Sequence, residues 1–150
     1  MKRYSFFIAG IIQGSIPRQA VHPQDYRAEI RRILHEHFPA CEVYCPFENH
    51  PASLSYDDAK ASSVFFDHIR MVEKTDCLVT FLPEASMGTA VEMYAAREAG
   101  RAVVTISPLS SNWTVKFLSD RLFAGTPEFE EFAASGRLRS FLDEFYAKKA

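Results

Sequence analysis

Apolar and polar positions along the chain fall into two alternating rhythms. Apolar runs at residues 5–12, 77–82 and 102–106 have strand length, and the first is continuous, as in a strand buried on both faces of a sheet. Residues 42–45 make a shorter second strand, and residues 77–82 the clearest central one, which Pro83 ends. Between the runs the period becomes helical. Residues 23–37 set Tyr26, Ile30, Ile33, Leu34 and His37 on one helical face, and residues 62–74 do the same with Val64, Phe65, Ile69 and Val72. A further helix begins near Thr89 and stops at Gly100, a good C-terminal cap. Residues 46–55, which carry Pro46 and Pro51, read as loop. The stretch from Trp113 to Lys149 reads as two or three helices, broken at Gly125-Thr126-Pro127 and at Gly136.

Strands alternating with helices predict a parallel sheet of four to five strands, joined by right-handed crossovers and covered on both faces. This is a flavodoxin-like or Rossmann-like three-layer α/β sandwich with a helical C-terminal third. No linker, low-complexity tract or repeat divides the sequence, so residues 1–150 are expected to form a single domain. Ligands of such sheets bind outside the carboxyl ends of the strands. That rule singles out three loops, at residues 10–18, 46–58 and 83–89.

Composition narrows the function classes. The 150 residues are 47% hydrophobic, enough for a core of their own. Lys and Arg total 17 against 19 Asp and Glu, so there is no basic footprint and no nucleic-acid partner is expected. The least charged stretch, residues 77–91, contains Pro83, Glu84 and Gly88 and cannot span a membrane. Met1-Lys2-Arg3-Tyr4 leads into a run too short for a signal peptide and without a cleavage site, so the start reads as a strand. Three cysteines make no disulfide framework and suit a reducing, cytoplasmic setting. His35, His37, Cys41 and Cys45 are close in sequence, but helix and strand positions direct them apart. Neither a metal nor another cofactor is expected.

The loop at residues 83–89 carries the most chemistry. It leaves a buried strand, turns at Gly88 and enters a helix, so Ser86, Thr89 and the first backbone N–H groups are placed to hold an anion. Glu92 follows Gly88 by about one helical turn, beside uncharged Ala90 and Val91, which makes it a candidate nucleophile. The plainer reading is an acidic residue compensating the helix dipole.

Residues 86–96, Ser-Met-Gly-Thr-Ala-Val-Glu-Met-Tyr-Ala-Ala, resemble the signature of the nucleoside 2-deoxyribosyltransferase superfamily. In that pattern an acidic residue or serine is followed two positions later by Gly and six positions later by the nucleophilic Glu, here Ser86, Gly88 and Glu92. Asp67-His68-Ile69-Arg70, ahead of Thr75-Asp76-Cys77-Leu78-Val79, is similar to the family's helix with a catalytic Asp and its following strand. Ser5-Phe6-Phe7-Ile8-Ala9-Gly10 is similar to the first strand and substrate loop. The resemblance implies retaining displacement at the anomeric carbon of a small-molecule nucleoside or nucleotide. Glu92 would attack C1′, and Asp67 would protonate or orient the leaving base. The family's transferases usually have Asp where this chain has Ser86, whereas its nucleotide N-hydrolases have Ser, whose hydroxyl binds the 5′-phosphate. Hydrolysis is therefore favoured over base exchange. The hydrolases' compact Gly- and Arg-rich first loop is replaced here by a longer one, in which Gly14, Ser15 and Arg18 are the candidate phosphate contacts.

Gly10, Phe47 and His50 are further candidate substrate contacts, the last two at the end of the second strand. Asn112 opens a segment, residues 112–117, resembling one that family members extend into a neighbouring subunit's site. A homo-oligomer with shared active sites is the expectation. Two alternatives stand beside this reading. A cytokinin-activating phosphoribohydrolase of the lysine-decarboxylase-like type is matched only at Gly88-Thr89 and Glu92. A non-catalytic nucleotide-sensing or interaction module on the same fold would leave Glu92 and Asp67 without a task.

Overall fold

The computed structural model describes residues 1–13 and 20–150. Gly14, Ser15 and Arg18 lie outside the described residues. Five parallel strands form one sheet in the order β2-β1-β3-β4-β5: β1 Ser5–Gly10, β2 Glu42–Tyr44, β3 Cys77–Phe81, β4 Ala102–Ile106 and β5 Arg121–Phe123. The register pairs Phe6 with Cys77 and Gly10 with Phe81, and Cys77 with Ala102. Helices α1 Asp25–His37, α2 Pro46–Asn49, α3 Asp58–Val72, α4 Met87–Glu98, α5 Trp113–Leu118, α6 Thr126–Ala134 and α7 Arg137–Ala147 complete the chain.

Alternation along the strands explains the three layers. Phe6, Ile8, Cys77, Val79, Ala102 and Val104 point to one face, where Ile30, Ile33 and Leu34 of α1, Phe129 of α6 and Leu138 and Leu142 of α7 cover them. Phe7, Ala9, Leu78 and Val103 point to the other face, under Val72 of α3, Met93 and Ala96 of α4 and Val115 of α5. Because both faces are covered, the central strands are almost wholly apolar, and the two buried threonines, Thr80 and Thr105, hydrogen-bond to each other at 2.9 Å. The start of the sheet is tied by Asp76, whose Oδ2 accepts from Ser5 N at 2.9 Å and Ser5 Oγ at 3.1 Å.

The differences from the sequence reading are local. The segment expected to be loop after β2 contains the short helix α2 and a 3-10 turn at Ser53–Ser55. Pro46 opens α2, where its missing N–H has no intrahelical acceptor to lose. Helix α3 starts at Asp58 because Asp57 caps it, accepting from Lys60 N. The C-terminal third is not wholly helical: β5 adds a short edge strand between α5 and α6. No helix among the described residues is long and apolar enough to cross a membrane.

Candidate active site

The strand order changes direction between β1 and β3, where chain connections leave toward opposite sides and open a crevice at the carboxyl ends. A cavity of about 270 Å³ occupies this place. Ala9, Gly10, Ile12 and Gln13 line it from the end of β1, and Ser86, Met87, Gly88, Thr89 and Glu92 from the start of α4. Phe65, His68 and Ile69 of α3 form another wall, while Pro46 and Arg27 complete the lining.

Gly10 is required by close approach. A Cβ there would come within 2.5 Å of Tyr26 Oη and 2.8 Å of the Phe81 carbonyl oxygen. The Tyr26 ring stacks on Phe81 with centroids 4.3 Å apart, and its hydroxyl donates to the Ile11 carbonyl at 3.1 Å. At Gly88 a Cβ would meet none of the described residues within 4 Å, so the first turn of α4 is open to the cavity.

Ser86 is the N-cap of α4; its Oγ accepts from Thr89 N at 3.3 Å. The cap uses an acceptor lone pair and leaves the hydroxyl hydrogen to donate. Thr89 and Glu92 follow on the same helical face. Thr89 Oγ1 and Glu92 Oε2 are both buried without a hydrogen-bond partner among the described residues. Burial pushes the Glu92 carboxyl up to about 7, and the positive charge of Arg27 pulls in the opposite direction.

Arg27 was not among the residues singled out from sequence. It is only 2% exposed, an unusual state for arginine. Its guanidinium donates to the carbonyls of Ile8 and Gly10, each at 3.2 Å, and to Gln24 Oε1 at 2.7 Å. These bonds hold a desolvated cation under the end of β1. An arginine on the buried face of an otherwise amphipathic helix was the available signal.

Asp67 does not line this cavity. Its side chain is 58% exposed and ion-paired with Arg70 on the same helix. The next residue, His68, is about 100° further round α3 and faces the cavity instead. His68 Nε2 is 3.1 Å from Tyr44 Oη, and its ring lies edge-on to Phe7 at 6.0 Å between centroids. Burial, reinforced by nearby His50, lowers the His68 imidazole to about 4.

The remaining candidates are distributed around this centre. His50 lies behind His68, ring centroids 5.4 Å apart, with its Nδ1 2.9 Å from Tyr56 Oη. Phe47 packs against the core on the α1 side with Arg27 over its ring, so Pro46, not Phe47, reaches the cavity from α2. Asn112 caps α5 by accepting from Val115 N and lines an adjoining hollow that shares Ser86 and Met87 with the main cavity. Among the described residues, no group of three or more His, Cys, Asp or Glu side chains converges on a metal position.

No family model and no curated protein matches the sequence. Solved structures do match. The chain is similar to a 2-deoxyribosyltransferase from the psychrotolerant bacterium Bacillus psychrosaccharolyticus, with 14% identity, 84% of this chain and 90% of that one covered, and a TM-score of 0.62. It is also similar to a conserved protein from Enterococcus faecalis V583, with 19% identity, coverage of 89% and 99%, and a TM-score of 0.63. These likenesses define the fold class: a five-stranded parallel α/β sandwich of the nucleoside 2-deoxyribosyltransferase-like type.

Proposed function

We propose that the protein is an enzyme that cleaves the N-glycosidic bond of a nucleoside 5′-monophosphate or nucleoside, with Glu92 as nucleophile. The observation carrying this reading is the Glu92 carboxyl: desolvated, with Oε2 unpartnered among the described residues, at the cavity on the carboxyl edge of the sheet. A purely dipole-compensating glutamate would be solvated and would gain nothing from that placement.

In the ionised form, a Glu92 oxygen attacks C1′ as the C1′–N bond breaks, and the bonding electron pair leaves with the base. The result is a glycosyl ester on Glu92. Water then attacks C1′, the ester oxygen departs as the regenerated carboxylate, the sugar keeps the water's hydroxyl, and the water's other proton neutralises the departed base. Arg27 favours the ionised form, while the surrounding desolvation makes the carboxylate more nucleophilic. At the other end of the substrate, the Ser86 hydroxyl and the open N-terminal turn of α4 at Gly88 and Thr89 suit a 5′-phosphate. An aspartate at position 86 would repel that group, which favours hydrolysis of a monophosphate.

Base exchange is the second reading, supported by the likeness to a 2-deoxyribosyltransferase. One experiment separates the possibilities. The protein is incubated with a panel of nucleosides and their monophosphates, with and without a second free base, and products are separated by chromatography. Free base and sugar phosphate are expected, together with a glycosyl adduct on the wild-type protein by intact mass that Glu92→Gln lacks. A new nucleoside only when the second base is present identifies exchange. A nucleotide that binds and is never cleaved identifies a sensing module and overturns the proposal.

A further inference from the structure

The cavity holds a second titratable side chain, His68, which the scheme above does not use. It belongs to α3, on a wall formed with Phe65 and Ile69. Three contacts fix its ring: Tyr44 Oη at 3.1 Å from Nε2, Phe7 edge-on from β1, and His50 from the segment after α2. Each comes from a different element, so the imidazole is held from outside its own helix. A surface histidine would have no such frame.

We infer that His68, and not Asp67, contacts the leaving base: the Tyr44 hydroxyl donates to Nε2, the ring proton therefore sits on Nδ1, and Nδ1–H donates to the acceptor beside the glycosidic nitrogen. This assignment rests on the N-glycosidic reading. The acceptor is N3 or N7 of a purine, or O2 of a pyrimidine. As the C1′–N bond lengthens, electron density accumulates on the base, so a donor to that atom strengthens toward the transition state. No proton transfer is needed for this effect. Burial and the neighbouring His50 keep the imidazole neutral at pH 7, while Asp67 on its own helix opposes them weakly from an exposed position. With Nε2 accepting from the tyrosine in this way, a neutral histidine keeps its one N–H at Nδ1, which sets its polarity toward the ligand.

Tyr44 is then a positioning residue. Without its hydroxyl the ring loses the contact that selects the Nδ1–H tautomer. Asp67, ion-paired with Arg70 outside the cavity, is expected to be dispensable for the single-chain chemistry.

The test compares the best substrate of the panel with analogues in which one acceptor is removed or weakened: 3-deaza and 7-deaza forms for a purine, the 2-thio form for a pyrimidine. The wild type should discriminate against one analogue in kcat/KM, and His68→Ala should lower activity on the parent about 10- to 150-fold while erasing that discrimination. His68→Asn, which keeps a donor near the Nδ1 position, should restore part of both. Tyr44→Phe should weaken the discrimination without erasing it. Nitrogen-15 NMR of the free protein should show the Nδ1–H tautomer for His68, and this readout does not depend on turnover or on the stability of a variant. An Nε2–H tautomer, or an unchanged analogue ratio in folded His68→Ala, overturns the assignment. If Glu92→Gln is inactive while His68→Ala keeps the wild-type ratio, only the His68 role falls. If Glu92→Gln retains activity, the nucleophile reading falls instead.

Discussion

Arg27 and Glu92 reach one cavity from helices on opposite faces of the sheet, α1 and α4. Beyond the ends of β1 and β3 those two layers share open space. The meeting of a buried guanidinium and a desolvated carboxyl is therefore a product of strand order. A residue at the opposite edge, such as Asp76, serves the start of the sheet instead.

The two titrating groups of the cavity push stability in opposite directions with pH. Glu92 is raised from 4.5 to about 7 on folding, so its contribution is full below 4.5 and is lost as pH rises through 7. His68 is lowered from 6.5 to about 4, so its contribution is full above 6.5 and is lost as pH falls toward 4. Denaturant unfolding of the wild type should be nearly flat between pH 4.5 and 6.5, where the two slopes oppose. Glu92→Gln should be more stable than the wild type at pH 8, by about 3 kcal/mol at most, with little gain at pH 4. A pH-independent difference between the two proteins would contradict this.

Activity should show the same ionisation. The acidic limb of kcat/KM is expected near pH 7, where the free Glu92 carboxyl loses its proton. Arg27→Gln removes the charge that favours the carboxylate and should move that limb upward. Initial rates across a pH series measure the shift, and a downward movement would refute the assigned sign.

Ser86 has two duties, capping and anion binding, and two substitutions separate them. Ser86→Ala loses the cap, costing about 1 kcal/mol of stability, as well as the donor to a phosphate. Ser86→Asp keeps a good cap but adds a negative charge. It should melt near the wild-type temperature while losing at least tenfold in kcat/KM on monophosphates relative to free nucleosides. Equal losses on both substrate types would return Ser86 to a capping role alone.

A second copy of the chain is the expected cover for the outer face of α3, α4 and α5. Phe65, Phe66, Val91, Tyr94, Trp113 and Phe117 are all exposed there, Trp113 at 77%. Two of the cavity's lining residues, Phe65 and Met87, are exposed as well, which makes the apolar surface continuous with the site. Light scattering at micromolar concentration should report an oligomer, and Tyr94→Glu with Trp113→Glu should reduce it to monomer. A wild-type monomer would exclude the shared-site arrangement.

Gly10→Ala is expected to destabilise by about 1–3 kcal/mol, because the new Cβ meets the Phe81 carbonyl as well as the Tyr26 ring. Tyr26→Phe should relieve only the hydroxyl part of that conflict, so the double variant remains less stable than Tyr26→Phe alone. Thermal unfolding of the three variants checks this.

The strand runs at residues 5–12, 77–82 and 102–106 were legible because continuous apolarity is what a strand covered on both faces requires. Strand β5 was not: Arg-Leu-Phe is three residues at a sheet edge, too short for a period. Glu92 and Ser86 could be placed because a strand, a glycine turn and a helix fix their positions locally. The α3 wall depended on helical phase, and exposed Asp67 and His68 in the cavity are consecutive residues. Trp113 illustrates another limit. Its size favours burial, yet its place in the first turn of a short helix leaves it outside the core.

Thr89 Oγ1 and Glu92 Oε2, one turn apart and both without partners among the described residues, carry a folding cost of their own. Each such atom is worth about 1–3 kcal/mol of lost hydrogen bonding. Replacing Thr89 with valine and Glu92 with a neutral or apolar side chain of similar size would recover that cost. At this point the interior of the protein spends stability on polarity, where packing alone would have asked for neither group.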